Sequence, residues 1–178
     1  PGFHGDFADC NNIMGTYLLT KELLRYSHKR IYILEGSYEF SNARERFEGF
    51  CLAMKEGGIN VDHNYEYRFE GDFTEESGFN GVVHMINHFN QKPTAILCTN
   101  NAMLIGALKA LHKYHISIPE QISIVGFNGI DNLELMNIRP TVANFDPYQI
   151  GSAAGKFLLE RIQNLNIENR EAIFDPTL

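Results

Sequence analysis

Along the chain, short apolar runs alternate with longer segments whose apolar residues recur every three or four positions. The pattern is clearest between Pro93 and Asn128. There Ala95-Ile96-Leu97-Cys98 reads as a strand and Ala102 to Tyr114 as a helix. Beyond the break at Pro119, Ile122-Ser123-Ile124-Val125 reads as a second strand. Two short buried runs joined by a helix of this length imply parallel strands. The same alternation precedes this unit. Asn12 is expected to cap a helix carrying Ile13, Met14, Tyr17, Leu18 and Leu24, and Ile31-Tyr32-Ile33-Leu34 follows as a strand. Ser41 or Asn42 caps the next helix, with Phe47, Phe50, Cys51 and Met54 on its apolar face and Gly57-Gly58 at its end. Tyr65 to Phe69 alternates like a strand. Thr74-Glu75-Glu76 opens a helix in which Phe79, Val82, Val83, Ile86 and Phe89 form a stripe. After Asn128 the pattern is irregular as far as Arg139. Thr141 to Phe145 is a short strand, Asp146-Pro147 starts a helix running to Ile162, and Glu171 to Phe174 is a last strand. Residues 1–10 have no clear period. Such alternation predicts an α/β fold, a doubly wound and mostly parallel sheet with helices on both faces.

Composition narrows the function classes. The 178 residues carry a net charge of -7 with no long Lys or Arg run, which argues against this segment itself gripping nucleic acid. No apolar stretch approaches the ~20 residues of a membrane span. The first residues have neither a signal-peptide pattern nor an initiator Met, and they read as a cut or processed end. Cys10, Cys51 and Cys98 are sparse and odd in number. They predict a reducing, cytoplasmic setting, with Cys51 and Cys98 as small core residues.

Ligands of open α/β sheets bind outside the carboxyl ends of the strands, and the candidate chemistry collects there. Asn100 and Asn128 end the two central strands, and each offers a donor and an acceptor to a ligand hydroxyl. For Asn100 the competing role is a helix N-cap. Arg46, near a helix start, offers paired donors to hydroxyls, a carboxylate or a phosphate, or else is a solvated arginine. Asn42, one turn earlier, faces the same space or merely caps. Phe73, after Gly71-Asp72, can stack on a sugar or a base, or pack on its own helix. His84 and His88 stand four apart but lack a third metal ligand. No phosphate-binding glycine motif and no nucleophile motif occurs, so catalysis has no support and no cofactor is expected.

Three runs carry a family resemblance: Lys92-Pro93-Thr94-Ala95-Ile96, Thr99-Asn100-Asn101-Ala102-Met103-Leu104-Ile105-Gly106-Ala107, and Ile118-Pro119-Glu120-Gln121-Ile122-Ser123-Ile124-Val125-Gly126-Phe127. Asn11-Asn12-Ile13-Met14-Gly15, Ser27-His28-Lys29-Arg30-Ile31, Ala43 to Phe50 and Arg139-Pro140-Thr141-Val142 add to them. With these the chain resembles the effector-binding core of the lactose/galactose-repressor family, whose fold is periplasmic-binding-protein-like. The resemblance implies that residues 12–141 and 171–178 form the second lobe of a two-lobed core. It makes 146–163 a crossover helix of an otherwise absent first lobe, so that its apolar face lacks a partner, and it implies that the DNA-binding domain is also absent. The expected function is to bind a small effector, a sugar or sugar phosphate, between two lobes and so control operator DNA. Arg46, Phe73, Asn100, Asn128, Asn42 and Phe145 are the expected effector contacts. Asn128 stands where the family usually has Asp, which leaves room for a phosphorylated or acidic ligand. A homodimer is implied, with contacts from helices 74–89 and 101–114 and segment 130–138; Met85, Met103, Leu104, Leu133 and Met136 either contribute to it or are buried in the core. The alternative is a sugar receptor of a transport system with the same fold.

Overall fold

The computed structural model describes residues 5–130 and 138–178. The elements follow in the order β1 (Phe7–Cys10), α1 (Asn12–Arg25), β2 (Ile31–Glu35), α2 (Ser41–Glu56), β3 (Arg68–Glu70) and α3 (Glu75–His88). Then come β4 (Ala95–Cys98), α4 (Asn101–Lys113), β5 (Ser123–Phe127), β6 (Thr141–Ala143), α5 (Pro147–Gln163) and β7 (Glu171–Phe174). Five strands form one parallel sheet in the order β3-β2-β4-β5-β6.

Each central strand is apolar on both faces, and the period of two sorts its side chains. Ile31, Ile33, Ala95, Leu97 and Val125 enter a core with Leu19 and Leu23 of α1 and Phe47, Phe50 and Met54 of α2. Tyr32, Leu34, Ile96, Cys98 and Ile124 enter the opposite core with Val82 and Met85 of α3 and Met103, Leu104 and Leu111 of α4. Helices α1 and α2 therefore cover one face, and α3 and α4 the other. The chain leaves β2 through α2 and leaves β4 through α4. A crevice opens where these neighbouring strands send their helices to opposite sides.

Several details depart from the sequence expectation. Residues 7–10 form a strand despite lacking a period, and β7 pairs with it in parallel, Phe7 opposite Glu171 through Cys10 opposite Phe174. Residues 171–174 are thus not part of the five-stranded sheet; a bridge between Asn144 and Thr177 ties this tail to the end of β6. Asp6 fixes the small sheet by accepting from Arg161 of α5 (Nη2 to Oδ1, 2.9 Å) and from Arg170 (Nη2 to Oδ2, 3.2 Å). The third strand is Arg68–Glu70, shorter and later than Tyr65 to Phe69. Asn11, not Asn12, caps α1, and α2 begins after Phe40 with no side-chain cap. The caps by Thr74, Asn100 and Asp146 form as expected. Met85, Met103 and Leu104 lie in the core, so they are not dimer contacts. Leu133 and Met136 lie outside the described residues. Cys98 is fully buried, whereas Cys51 is half-buried. Helix α5 buries no residue, and Leu158, Leu159 and Ile162 are exposed.

Candidate functional site

The carboxyl ends of β2, β4 and β5 converge on Arg46. The side chain comes from α2, second turn, on the face turned toward the sheet, and the residue is only 7% exposed. Its Nε donates to Asn12 Oδ1 at 2.9 Å and its Nη1 to the Thr99 carbonyl at 2.6 Å. The guanidinium carbon lies 3.8 Å from the centre of the Phe127 ring and 5.7 Å from that of Phe73. A cation over an aromatic face gains electrostatic attraction, and the gain grows when water is excluded. Burial lowers the Arg46 pKa from its ordinary value, but guanidinium remains charged at neutral pH. A solvated helix arginine is therefore not what this residue is.

Asn12 organises the arginine. It is 2% exposed at the start of α1. Its Nδ2 donates to Glu45 Oε2 at 2.9 Å while its Oδ1 receives Arg46. Cys10, at the end of β1, points its thiol at the same Oδ1 over 3.6 Å. Burial pushes that thiol up to about 11, so it is neutral at physiological pH.

Phe73 holds a positive φ of 64°, which is uncommon for a bulky residue and is often found where function over-determines the backbone. Two contacts impose it. Asn100 Nδ2 donates to the Phe73 carbonyl at 2.8 Å, and the ring lies over Gly36, where an added Cβ would meet it at 2.3 Å. The Phe40 ring stands 6.2 Å away and is half exposed, so two aromatic rings wall this side of the crevice. Asn100 Oδ1 accepts from Met103 N at 2.9 Å as the α4 cap. Its amide thus positions Phe73 and starts the helix at once.

Asn128 also takes a positive φ, 68°, and its backbone N–H is bound to the Ala143 carbonyl. With Cys10, Gly129, Asn144, Phe145 and Ile150 it lines a cleft of about 550 Å³. Phe145 packs on Phe127 with ring centres 5.2 Å apart, which links this cleft to the arginine. Asn42 sits one turn before Arg46, and its Oδ1 is buried without a donor. Of the six expected residues, Arg46 and Phe73 touch directly, and Asn100 supports Phe73. Phe145 and Asn128 share the neighbouring cleft, and Asn42 is placed on the Arg46 face of α2.

Asn12, Phe127, Thr99, Cys10 and Phe40 were not among the expected contacts. Two carried a readable signal. Only one of Asn11 and Asn12 can cap α1, which leaves an amide at the strand-end edge, and Phe127 is the last apolar residue before Asn128.

Among the described residues, Glu35, at the end of β2, is also buried and pairs with Arg68. Burial raises its carboxyl to about 7 despite the opposing pull of Arg68. His84 places Nδ1 3.0 Å from the Tyr32 hydroxyl, its ring stacked on His88. No cluster of three metal-ligating side chains occurs among the described residues. Among those residues, no helix is long and apolar enough to cross a membrane.

Comparison with known proteins agrees with this architecture. Residues 20–178 match the family described as periplasmic binding protein-like domain. The chain is 33% identical over 160 residues to the HTH-type transcriptional repressor PurR of Actinobacillus pleuropneumoniae serotype 3 (strain JL03), covering 90% of this chain and 47% of that protein. It thus spans about half the length of the curated relatives it matches. A LacI-type transcriptional regulator from Bacillus cereus subsp. cytotoxis superposes with a TM-score of 0.89 at 28% identity, over 97% of this chain and 60% of that one. The fold also matches a LacI family regulator from Enterococcus faecium with bound ribose, at a TM-score of 0.87 and 24% identity, over 99% of this chain and 64% of that one. The chain belongs to the periplasmic binding protein-like domain family.

Proposed function

We propose that this chain is the effector-sensing part of a transcriptional repressor. A small hydroxylated molecule, a sugar or sugar phosphate, binds at the carboxyl edge of the five-stranded sheet, and its presence alters operator binding by a DNA-binding domain elsewhere in the protein. One observation carries the reading: a buried guanidinium within cation–π distance of both Phe127 and Phe73 at the strand ends between α2 and α4. Residues 12–141 act as one lobe. Helix α5 with β1 and β7 is part of a second lobe, and effector closes the two, favouring one arrangement of a homodimer over another. Arg46, Phe73, Asn128, Asn42 and Phe145 contact effector, while Asn100 and Asn12 hold the contacts in place. The protein works by binding rather than by turnover.

The test is a ligand screen by thermal shift on the full-length protein, followed by calorimetry. Arg46→Ala should weaken the identified effector roughly 10- to 100-fold, the worth of a charge-assisted hydrogen bond. Unchanged affinity would refute the site. Operator fragments enriched from genomic DNA by the full-length protein should respond to that effector, and the response should vanish in Arg46→Ala.

A further inference from the structure

The crevice lies at the carboxyl edge of the sheet, and the amino edge carries chemistry of its own. Helices α1, α3 and α4 end there, and the turns into β2, β4 and β5 are tied together. Thr94 N donates to the Arg30 carbonyl at 2.9 Å, Arg30 Nε to the Lys92 carbonyl at 3.1 Å, and Ser123 N to the Thr94 carbonyl at 3.0 Å. His28 Nδ1 lies 2.9 Å from Thr94 Oγ1. These bonds gather Lys29, Arg30 and Lys92, all exposed, into one patch. Among the described residues, none of the three has a carboxylate at ion-pair distance. Glu22 is engaged by Arg25 at 3.6 Å, and Glu66 and Glu120 on the same edge leave the three cations unpaired. The carboxyl end of a helix favours a cation in its last turn, which accounts for Arg25 and Lys113. Lys29, Arg30 and Lys92 stand in turns beyond the helices, on a chain whose net charge is -7.

Beside this patch a groove of about 490 Å³ opens between the end of α1 and the segments entering β5 and β6. Leu23, Ile118, Val125, Ile138 and Pro140 give it an apolar lining. Tyr26, which is 68% exposed, and His28 also line it and join it to Lys29 and Arg30. A pocket for one apolar anchor with charges at its rim is the common build of a protein-binding surface. Charge complementarity then sets the partner: unpaired cations beside an apolar groove suit a segment that carries carboxylates and a large apolar side chain. A phosphate polymer needs a longer cationic track and is repelled by a chain of this net charge. An anionic membrane is met by a longer polybasic segment rather than by a groove.

We infer that the amino edge docks an acidic segment of a partner protein, one apolar side chain of which enters the groove between α1 and β5 while its carboxylates lie on Lys29, Arg30 and Lys92. The surface is at the opposite edge of the sheet from Arg46, so it stands whether or not the crevice binds an effector. Helix α1 spans the two edges: Asn12, which holds Arg46, begins it, and Leu23 near its end lines the groove.

The experiment is fluorescence polarisation on the full-length protein with a panel of labelled peptides in which glutamates flank one phenylalanine, leucine or tryptophan. The controls are the same peptides with lysine for glutamate, the same peptides with alanine for the apolar residue, phosphatidylglycerol vesicles and a DNA duplex. At least one acidic peptide should bind tenfold or more tightly than both of its peptide controls, and roughly 0.5 M salt should weaken it several-fold. Lys29→Glu combined with Lys92→Glu should lower that affinity tenfold or more, and so should Tyr26→Ala alone. All three positions are exposed. The inference is overturned if no acidic peptide outbinds its controls, or if the binding survives both variants. It is equally overturned if the charge reversals remove vesicle or duplex binding and leave peptide binding intact. Amide hydrogen exchange on the wild type decides without any variant: the bound peptide should protect residues 22–30 and 118–125, and protection confined to other segments overturns the inference.

Discussion

Helix α2 can hold Arg46 against Asn12 only because Gly49 lets α1 lie directly on it. A Cβ added at Gly49 would stand 2.1 Å from the Ile13 carbonyl oxygen, 3.0 Å from its carbon and 3.1 Å from Tyr17 N. All three are backbone atoms of α1, so no side-chain rotation relieves the clash. The helices must separate by about 1 Å to restore van der Waals contact. Gly49→Ala therefore combines three effects. Overpacking costs about 1–3 kcal/mol. Better helix propensity returns about 1 kcal/mol. The 2.9 Å bond from Arg46 to Asn12 stretches with the helix separation, which loses part of a charge-assisted contact worth about 1.5–3 kcal/mol. The net expectation is a loss of about 1–4 kcal/mol, which for a chain of this size lowers Tm by roughly 2–15 °C. Gly155→Ala provides the contrast. Gly155 is inside α5 with nothing within 4 Å of its added Cβ, so only the propensity gain of about 0.5–1 kcal/mol remains and Tm should rise a few degrees. Thermal melts followed by far-UV circular dichroism, with urea titrations as a second measure, give both signs. If Gly49→Ala melts at or above the wild type while Gly155→Ala behaves as stated, the argument from helix contact is wrong.

Two further predictions concern residues flanking the crevice. Burial raises the Glu35 carboxyl to about 7, above its unfolded value, so the folded state binds that proton more tightly. The associated stability is fully present below the unfolded pKa and is lost as pH rises through about 7, with an upper bound of about 3 kcal/mol. Glu35→Gln should flatten the decline of Tm between roughly pH 5 and 8, and a curve parallel to the wild type would contradict the assignment. Asn100→Ala removes both the α4 cap and the donor to the Phe73 carbonyl, lowering the urea midpoint by the equivalent of about 1–2 kcal/mol. Asn100→Asp keeps the cap, so its stability should stay near the wild type while effector affinity falls. Equal affinity in Asn100→Asp would mean that the Phe73 loop does not need that hydrogen bond.

Much of the architecture was legible from the residues alone, because it is encoded by near neighbours. The period of two in Ile31 to Leu34 and in Ala95 to Cys98, apolar on both faces, requires a sheet covered on both sides. Thr74, Asn100 and Asp146-Pro147 start their helices through bonds reaching only two or three residues along the chain. The expectation that a ligand sits at the carboxyl edge followed from the same parallel order. What each site residue does there did not follow. The first strand, four residues without a period, forms only because residues 171–174 come to lie beside it. Sequence spacing placed Arg46 near the edge but could not say that it is buried, held by Asn12 and Thr99, and stacked on Phe127. Those contacts join residues 34, 53 and 81 positions apart, and they depend on sheet register and on how closely α1 approaches α2. Met103 and Leu104 illustrate the same limit, since a helix pattern names an apolar face but not whether the core or another subunit covers it. Local periodicity determined the elements of this protein; only the packing of distant segments decided which polar atoms near Arg46 are hydrogen-bonded and which, like Asn42 Oδ1, are not.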